Sequence, residues 1–147
     1  MPKASPPACD ADALRDWARR HPRLFVITGA GCSTEAGIPD YRDENGDWKR
    51  PQPVTYQSFM GDEATRRRYW ARSLVGWPVM GNARPGAAHR ALAQLERASR
   101  IELLLTQNVD GLHQAAGSQR VIDLHGRIGT VRCMACEARL PRAELQT

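Results

Sequence analysis

Among the residues able to do chemistry in this 147-residue chain, His125 comes first. An imidazole titrates near neutrality, and the adjoining Gly126 leaves space beside the ring. Alone, such a histidine is better explained by a local hydrogen bond at the end of an apolar run. Asn108 and Asp110 tip the reading, because they follow another apolar run in the same way. An asparagine offers both a donor and an acceptor to a sugar hydroxyl or a water. Asp110 can accept from a hydroxyl or cap a short helix beginning at Gly111. A third apolar run leads into Gly29-Ala30-Gly31-Cys32-Ser33-Thr34, where two glycines and a capping hydroxyl can open a helix whose N–H groups face a phosphate. Thr34 stands where the usual dinucleotide turn carries a third glycine or an alanine, so a plain tight turn fits equally well. Just beyond, Gly37-Ile38-Pro39-Asp40-Tyr41-Arg42 places an acid, an aromatic ring and a guanidinium together.

Cys133 and Cys136 form a Cys-x-x-Cys pair, which in a cytoplasmic protein points to metal or redox chemistry. The spacing is that of a zinc knuckle, but a structural zinc needs four ligands, and Cys9 and Cys32 are remote in sequence. The pair therefore reads as half of a zinc site. A redox pair lacks the strand-to-helix setting usual for that motif. His113 is read as packed in a helix and His89 as lying on a helix face, and neither is given a role.

Elements must hold these groups in place. Residues 24–27, 101–105 and 121–124 are short apolar runs, and the first has the pattern of a strand buried on both faces of a parallel sheet. In such a sheet the carboxyl ends of the strands meet at one crevice. The glycine turn, Gln107-Asn108-Val109-Asp110 and His125-Gly126 would converge there. Between the runs, Asp10 or Asp12 can cap a helix ended by Pro22, with Leu14, Trp17 and Ala18 on one face. Asp62 can cap a helix from Glu63 to about Val75, with Tyr69, Trp70 and Leu74 inward, broken by Gly76-Trp77-Pro78. A further helix fits residues 87–98, with Ala88, Leu92 and Leu95 on its apolar face. Residues 43–53 are polar and turn-rich, either a lid or an irregular surface segment. Two short strands should flank the Cys-x-x-Cys turn.

The length allows one domain of modest core, and 41% hydrophobic with 25% charged residues is ordinary for a globular protein. No apolar run reaches the roughly 18 residues of a membrane span, and no secretory or transit signal is legible, so a cytoplasmic location is expected. The net charge of +5 is carried almost wholly by arginine. Arg19-Arg20 and Arg66-Arg67-Arg68 read as solvated helix faces, with no interleaved aromatics to indicate a specific nucleic acid.

Gly29-Ala30-Gly31-Cys32-Ser33, Gly37-Ile38-Pro39-Asp40-Tyr41-Arg42, Thr106-Gln107-Asn108-Val109-Asp110-Gly111-Leu112-His113, Asp123-Leu124-His125-Gly126 and Cys133-x-x-Cys136 occur in this order. Together they resemble the sirtuin family of NAD-dependent protein-lysine deacylases. The segment from Arg68 to Pro78 resembles its class II, lipoamidase-like branch. The resemblance implies an α/β fold, a Rossmann-like parallel sheet flanked by helices and incomplete here, with the start of a small zinc-binding domain. It divides the chain into a disordered tail at 1–9, part of the NAD-binding domain at 10–127 and the first half of the zinc module at 128–147.

By the same resemblance Gly29, Ala30, Gly31 and Ser33 contact NAD phosphates, and Gly37, Ile38, Asp40, Tyr41 and Arg42 begin the cofactor loop. Gln107, Asn108, Val109 and Asp110 border the ribose and nicotinamide, with His125 and Asn108 catalytic and Cys133 and Cys136 on zinc. The acyl oxygen of a lysine substrate attacks C1′ of the nicotinamide ribose, and His125 then activates a ribose hydroxyl that takes the acyl group. Tyr69 and Arg72 have the Tyr-x-x-Arg spacing that reads an acyl carboxylate in desuccinylating relatives, although a surface arginine beside a packed tyrosine is an equal reading. The expected partners are acyl-lysine proteins, with no membrane and an undetermined oligomeric state. The later family motifs lie outside these residues, so the chain alone is expected to be unstable and weakly active or inactive. A non-catalytic fragment whose arginine surface docks an acidic partner is the alternative.

Overall fold

The three apolar runs pair as a parallel sheet in the order β1-β2-β3, with β1 at Leu24–Thr28, β2 at Ile101–Thr106 and β3 at Val121–Asp123. The protein is seen here in a computed structural model that describes residues 10–49 and 51–146. The tail expected at 1–9 lies outside the described residues. Register brings the carboxyl ends level: Thr28 faces Thr106, and Thr106 faces Asp123. The Gln107 N–H then donates to the Thr28 carbonyl at 3.0 Å, and the Leu124 N–H to the Thr106 carbonyl at 2.9 Å. The three polar strand ends therefore leave the sheet side by side.

The expectation that β1 is buried on both faces is corrected. Phe25 and Ile27 are 57% and 60% exposed, and Ile122 and Leu124 are exposed as well. Successive side chains of a strand point to opposite faces, and among the described residues helices cover only one of them. On the covered face Ile101 and Leu104 pack with Ala93 and Leu112 in a small core.

α1, Ala11–Arg20, is capped by Asp10, whose carboxylate accepts from the Asp12 N–H at 2.9 Å. Arg100 closes its other end by donating from Nε to the Pro22 carbonyl at 2.9 Å and from Nη2 to the His21 carbonyl at 3.3 Å. The glycine turn opens a 3₁₀ helix, Ala30–Ala36, and not an α-helix capped by Ser33 or Thr34. Gly29 is its N-cap and makes no side-chain cap, which leaves Ser33 free to bury its hydroxyl. Gly37 ends it at φ 82°, in the left-handed region glycine enters without strain.

A helix not foreseen, α2, covers Tyr56–Gly61 and is capped by the Thr55 hydroxyl. α3, Glu63–Asn82, begins at the expected Asp62 cap but runs through Pro78 without breaking. Proline removes one N–H from the ladder. Here Trp77 lies against the Arg142 guanidinium, 5.3 Å from ring centroid to Cζ, and that tertiary contact favours the helical path. Tyr69 and Leu74 are exposed, not inward, and Thr65 is the buried residue of this helix.

α4, Ala87–Arg97, buries His89 and Ala93 while Ala88 faces out. The Ala87 N–H donates to Glu35 Oε2 at 2.7 Å and the Gly86 N–H to His89 Nδ1 at 3.2 Å. These bonds turn the helix so that His89 enters the interior. α5, Leu112–Ala115, follows β2. β4, Thr130–Arg132, and β5, Arg139–Pro141, form the hairpin expected around the cysteine turn, and α6, Arg142–Gln146, follows. Arg67 pairs with Glu63, while Arg66 and Arg68 bond Met60 and Thr65, as befits a solvated helix face. No helix among the described residues is long and apolar enough to cross a membrane.

Candidate functional site

The carboxyl edge of the sheet opens on a cleft of about 960 Å³. Ala30, Gly31 and Ser33 line it from the glycine turn, Ile38, Asp40, Tyr41 and Arg42 from the segment after it, Gln107, Asn108, Val109 and Asp110 from the end of β2, and His125 from the end of β3. Gly29 and Gly37 shape the turn without lining the cleft. Tyr69 reaches the cleft wall from α3; Arg72 lines neither this cleft nor the pocket beside it.

His125 is exposed, and its Nδ1 lies 3.0 Å from the Gln107 carbonyl oxygen. A carbonyl only accepts, so Nδ1 carries the proton of the neutral ring and Nε2 keeps a lone pair. Asn108 uses its amide differently from the expectation of one donor and one acceptor for a ligand. Nδ2 donates to the Gly29 carbonyl at 3.0 Å and to Ser33 Oγ at 3.1 Å. The Gly29 carbonyl fixes which end of the amide is nitrogen, so Oδ1 is the group left to present.

Ser33, 1% exposed, donates to Asp110 Oδ2 at 2.7 Å, and Asp110 Oδ1 accepts from the Leu112 N–H at 2.8 Å. Ser33 therefore spends its hydrogen bonds on Asp110 and Asn108, and Asp110 spends its own on Ser33 and the Leu112 N–H. The loop beyond Gly37 closes on itself: Lys49 Nζ meets Asp40 Oδ1 at 2.7 Å, and the Arg42 guanidinium lies 4.0 Å from the Trp48 ring centroid. Trp48, Pro53, Val54, Tyr56 and Met80 also line the cleft and were not singled out from sequence. A lone tryptophan in the polar stretch 43–53 was the available signal.

His89 and His113, given no role from sequence, are both buried behind the turn. His113 Nε2 lies 2.9 Å from Thr28 Oγ1, whose own proton goes to Thr106 Oγ1 at 2.9 Å. Burial holds both imidazoles below their ordinary pKa, and for His113 the neighbouring His89 adds to the effect. Cys32 Sγ and one nitrogen of each ring lie within 4.8 Å of one another. His89 is a poor metal ligand there, because its Nδ1 accepts from the Gly86 N–H and its Nε2 must then carry the proton. That proton faces Ser33 Oγ at 3.4 Å. Burial, then the Asp110 charge, pushes the Cys32 thiol up. At the hairpin, Cys133 and Cys136 are free and exposed. Hydrogen bonds from the Cys136 and Ala135 backbone hold the Cys133 thiol below its ordinary value.

A parallel sheet with a glycine turn after its first strand, and polar groups at the carboxyl ends of the others, defines a Rossmann-like α/β fold. The Sir2 family profile matches residues 29–147, and the chain belongs to that family, the sirtuins. Over 140 residues it is 68% identical to a protein of Xanthomonas axonopodis pv. citri named NAD-dependent protein deacetylase, covering 95% of this chain and 48% of the relative. A Bradyrhizobium diazoefficiens protein named NAD-dependent protein deacetylase 2 is 64% identical over 91% of this chain and 49% of its own length. The chain thus spans about half the length of these relatives. Among solved structures, a Sir2 complex with a p53 peptide and NAD+ superposes with a TM-score of 0.79 at 33% identity, over 92% of this chain and 54% of that one. A Sir2 bound to an acetylated peptide gives 0.76 at 31% identity, over 92% and 53%.

Proposed function

We propose that this chain supplies the base and much of the NAD-contacting surface of an NAD-dependent protein-lysine deacylase of the lipoamidase-like branch. The observation that carries the reading is the convergence of Gly31, the Asn108 carbonyl oxygen and the unprotonated Nε2 of His125 on one cleft. NAD fits this surface. A Cβ built at Gly29 or Gly31 meets nothing within 4 Å, so the backbone of the turn is open to the approach of a pyrophosphate.

When bound, NAD supplies the nicotinamide–ribose bond whose cleavage drives acyl transfer. His125 Nε2 takes the proton of a ribose hydroxyl, and the Gln107 carbonyl holds the Nδ1 proton and favours the imidazolium that results. Asn108 Oδ1 accepts from a hydroxyl, its amide held rigid by Gly29 and Ser33. Asp110 and Ser33 act behind it as positioning residues. The substrate is an acyl-lysine protein, with Tyr69 at the cleft wall.

Residues 10–127 serve as the nucleotide-binding part and 128–147 as the first part of a zinc module, a division supported by the separate hairpin sheet. Cys133 and Cys136 fit zinc, because an exposed thiol pair at knuckle spacing with one lowered pKa favours thiolates. Zinc there would tie the hairpin turn.

A thermal shift with NAD, alongside deacylation of an acyl-lysine peptide, tests the reading. Millimolar NAD raises Tm in the parent and in His125→Ala, while whatever deacylation the parent chain retains is lost in the variant. No shift with NAD, or deacylation that survives in His125→Ala, overturns it.

A further inference from the structure

Beside the main cleft lies a second pocket of about 380 Å³, between the aromatic side of α2 and α3 and the β4–β5 hairpin. Its wall includes Arg142, 1% exposed, whose Nε and Nη1 have no hydrogen-bond partner among the described residues. Nη2 makes one long bond to Ser73 Oγ at 3.3 Å. The guanidinium makes no ion pair among the described residues and lies 5.6 Å and 5.3 Å from the Trp70 and Trp77 ring centroids. Cation–π contact offsets part of the cost of burying a charge, but a buried guanidinium ordinarily has an anion beside it. Arg127 and Arg132 also line the pocket, and among the described residues no carboxylate does. Arg127 is already paired with Asp123, and Arg132 with Glu137.

The rest of the wall is aromatic. Phe59, Tyr69 and Trp70 form a row, with successive ring centroids 5.1 Å and 5.6 Å apart. We propose that this pocket binds a small carboxylic acid with an apolar body, its carboxylate on Arg142 and its body along the aromatic row. Arg142 is distinct from Arg72, the residue whose spacing offered a carboxylate contact, and the pocket needs no NAD. Because Arg142 is covered by its neighbours, the proposal requires the pocket wall to part as the acid enters, and Trp70, 5.6 Å from the guanidinium, would report that change optically. The carboxylate could arrive as a free acid or as part of a protein substrate; the free acid is the occupant proposed, since the buried guanidinium lies behind its neighbours, where a small free molecule reaches more readily than a group tethered to a protein.

The test titrates the chain without NAD against hexanoate, with hexan-1-ol, hexylammonium and equimolar chloride as controls, reading Tm and tryptophan fluorescence. Hexanoate gives a saturable Tm rise of at least about 2 °C and a fluorescence change, and the controls give neither. Arg142→Met removes the response and, in buffer alone, raises Tm by deleting an unpaired buried charge. If Arg142→Met does not fold, Arg142→Lys decides, because a point charge without the planar fork must bind hexanoate several-fold more weakly. Equal responses to hexanoate and hexan-1-ol, an undiminished response in Arg142→Lys, or no response at tens of millimolar overturns the proposal. A response only to a hexanoyl chain ending in carboxylate on a lysine peptide, and not to the free acid, also overturns it and assigns the pocket to substrate.

Discussion

Ser33→Ala separates a residue that grips a phosphate from one that holds the site together. The hydroxyl donates to Asp110 Oδ2 at 2.7 Å, accepts from Asn108 Nδ2 at 3.1 Å and faces the His89 Nε2 proton at 3.4 Å. Its removal takes from a carboxylate a hydrogen bond of the charged kind, worth about 1.5–3 kcal/mol, and leaves the His89 N–H with only Cys32 Sγ at 3.9 Å. Asn108 keeps its bond to the Gly29 carbonyl, so that part of the network survives. The expected loss is about 2–3 kcal/mol of stability, or roughly 6–12 °C in Tm for a domain of this size. Urea or thermal unfolding by circular dichroism reads it directly. A double-mutant cycle with Asp110→Asn should return a coupling above about 1 kcal/mol, since the two side chains are direct partners. A Ser33→Ala protein within about 0.5 kcal/mol of the parent that has lost its NAD-induced shift would refute the buried network and restore direct phosphate contact.

Acid should weaken the fold through His89 and His113. Their folded pKa values lie below the ordinary 6.5, so only the unfolded chain gains those protons. Stability is whole above about pH 6.5 and falls below it, with a limiting slope of about 1.4 kcal/mol per pH unit per histidine; a flat urea midpoint between pH 7 and 5 contradicts this. Pro78→Ala should stabilise α3 by about 1–3 kcal/mol by restoring an N–H to the ladder, seen as a higher urea midpoint, and an unchanged or lower midpoint speaks against it. With zinc removed by a chelator, peptide-resolved alkylation at pH 7 should label Cys133 faster than Cys32, because one thiol is lowered and exposed while the other is raised and half-buried; the reverse order would contradict the local electrostatics.

Local chemistry made much of this protein legible without coordinates. The runs at β1, β2 and β3 announced strands of a parallel sheet, because short, nearly continuous apolar runs separated by helical patterns suit that place. Asp10, Asp62 and the cysteine turn marked element ends through hydrogen bonds that span only a few residues. Five short motifs in fixed order were enough to indicate the family. Distance in the chain hid the rest. His89 and Ser33 are far apart in sequence, and their meeting depends on Glu35 and the Gly86 N–H turning α4. α3 continued past Pro78 where Trp77 meets Arg142, a contact no local propensity contains. Sequence determined which side chains stand at the strand ends. The tertiary structure decided what each has left to offer, because a hydrogen bond already given to a neighbour is unavailable to a ligand: Asn108 keeps an acceptor, His125 keeps Nε2, and Ser33 and Asp110 keep each other.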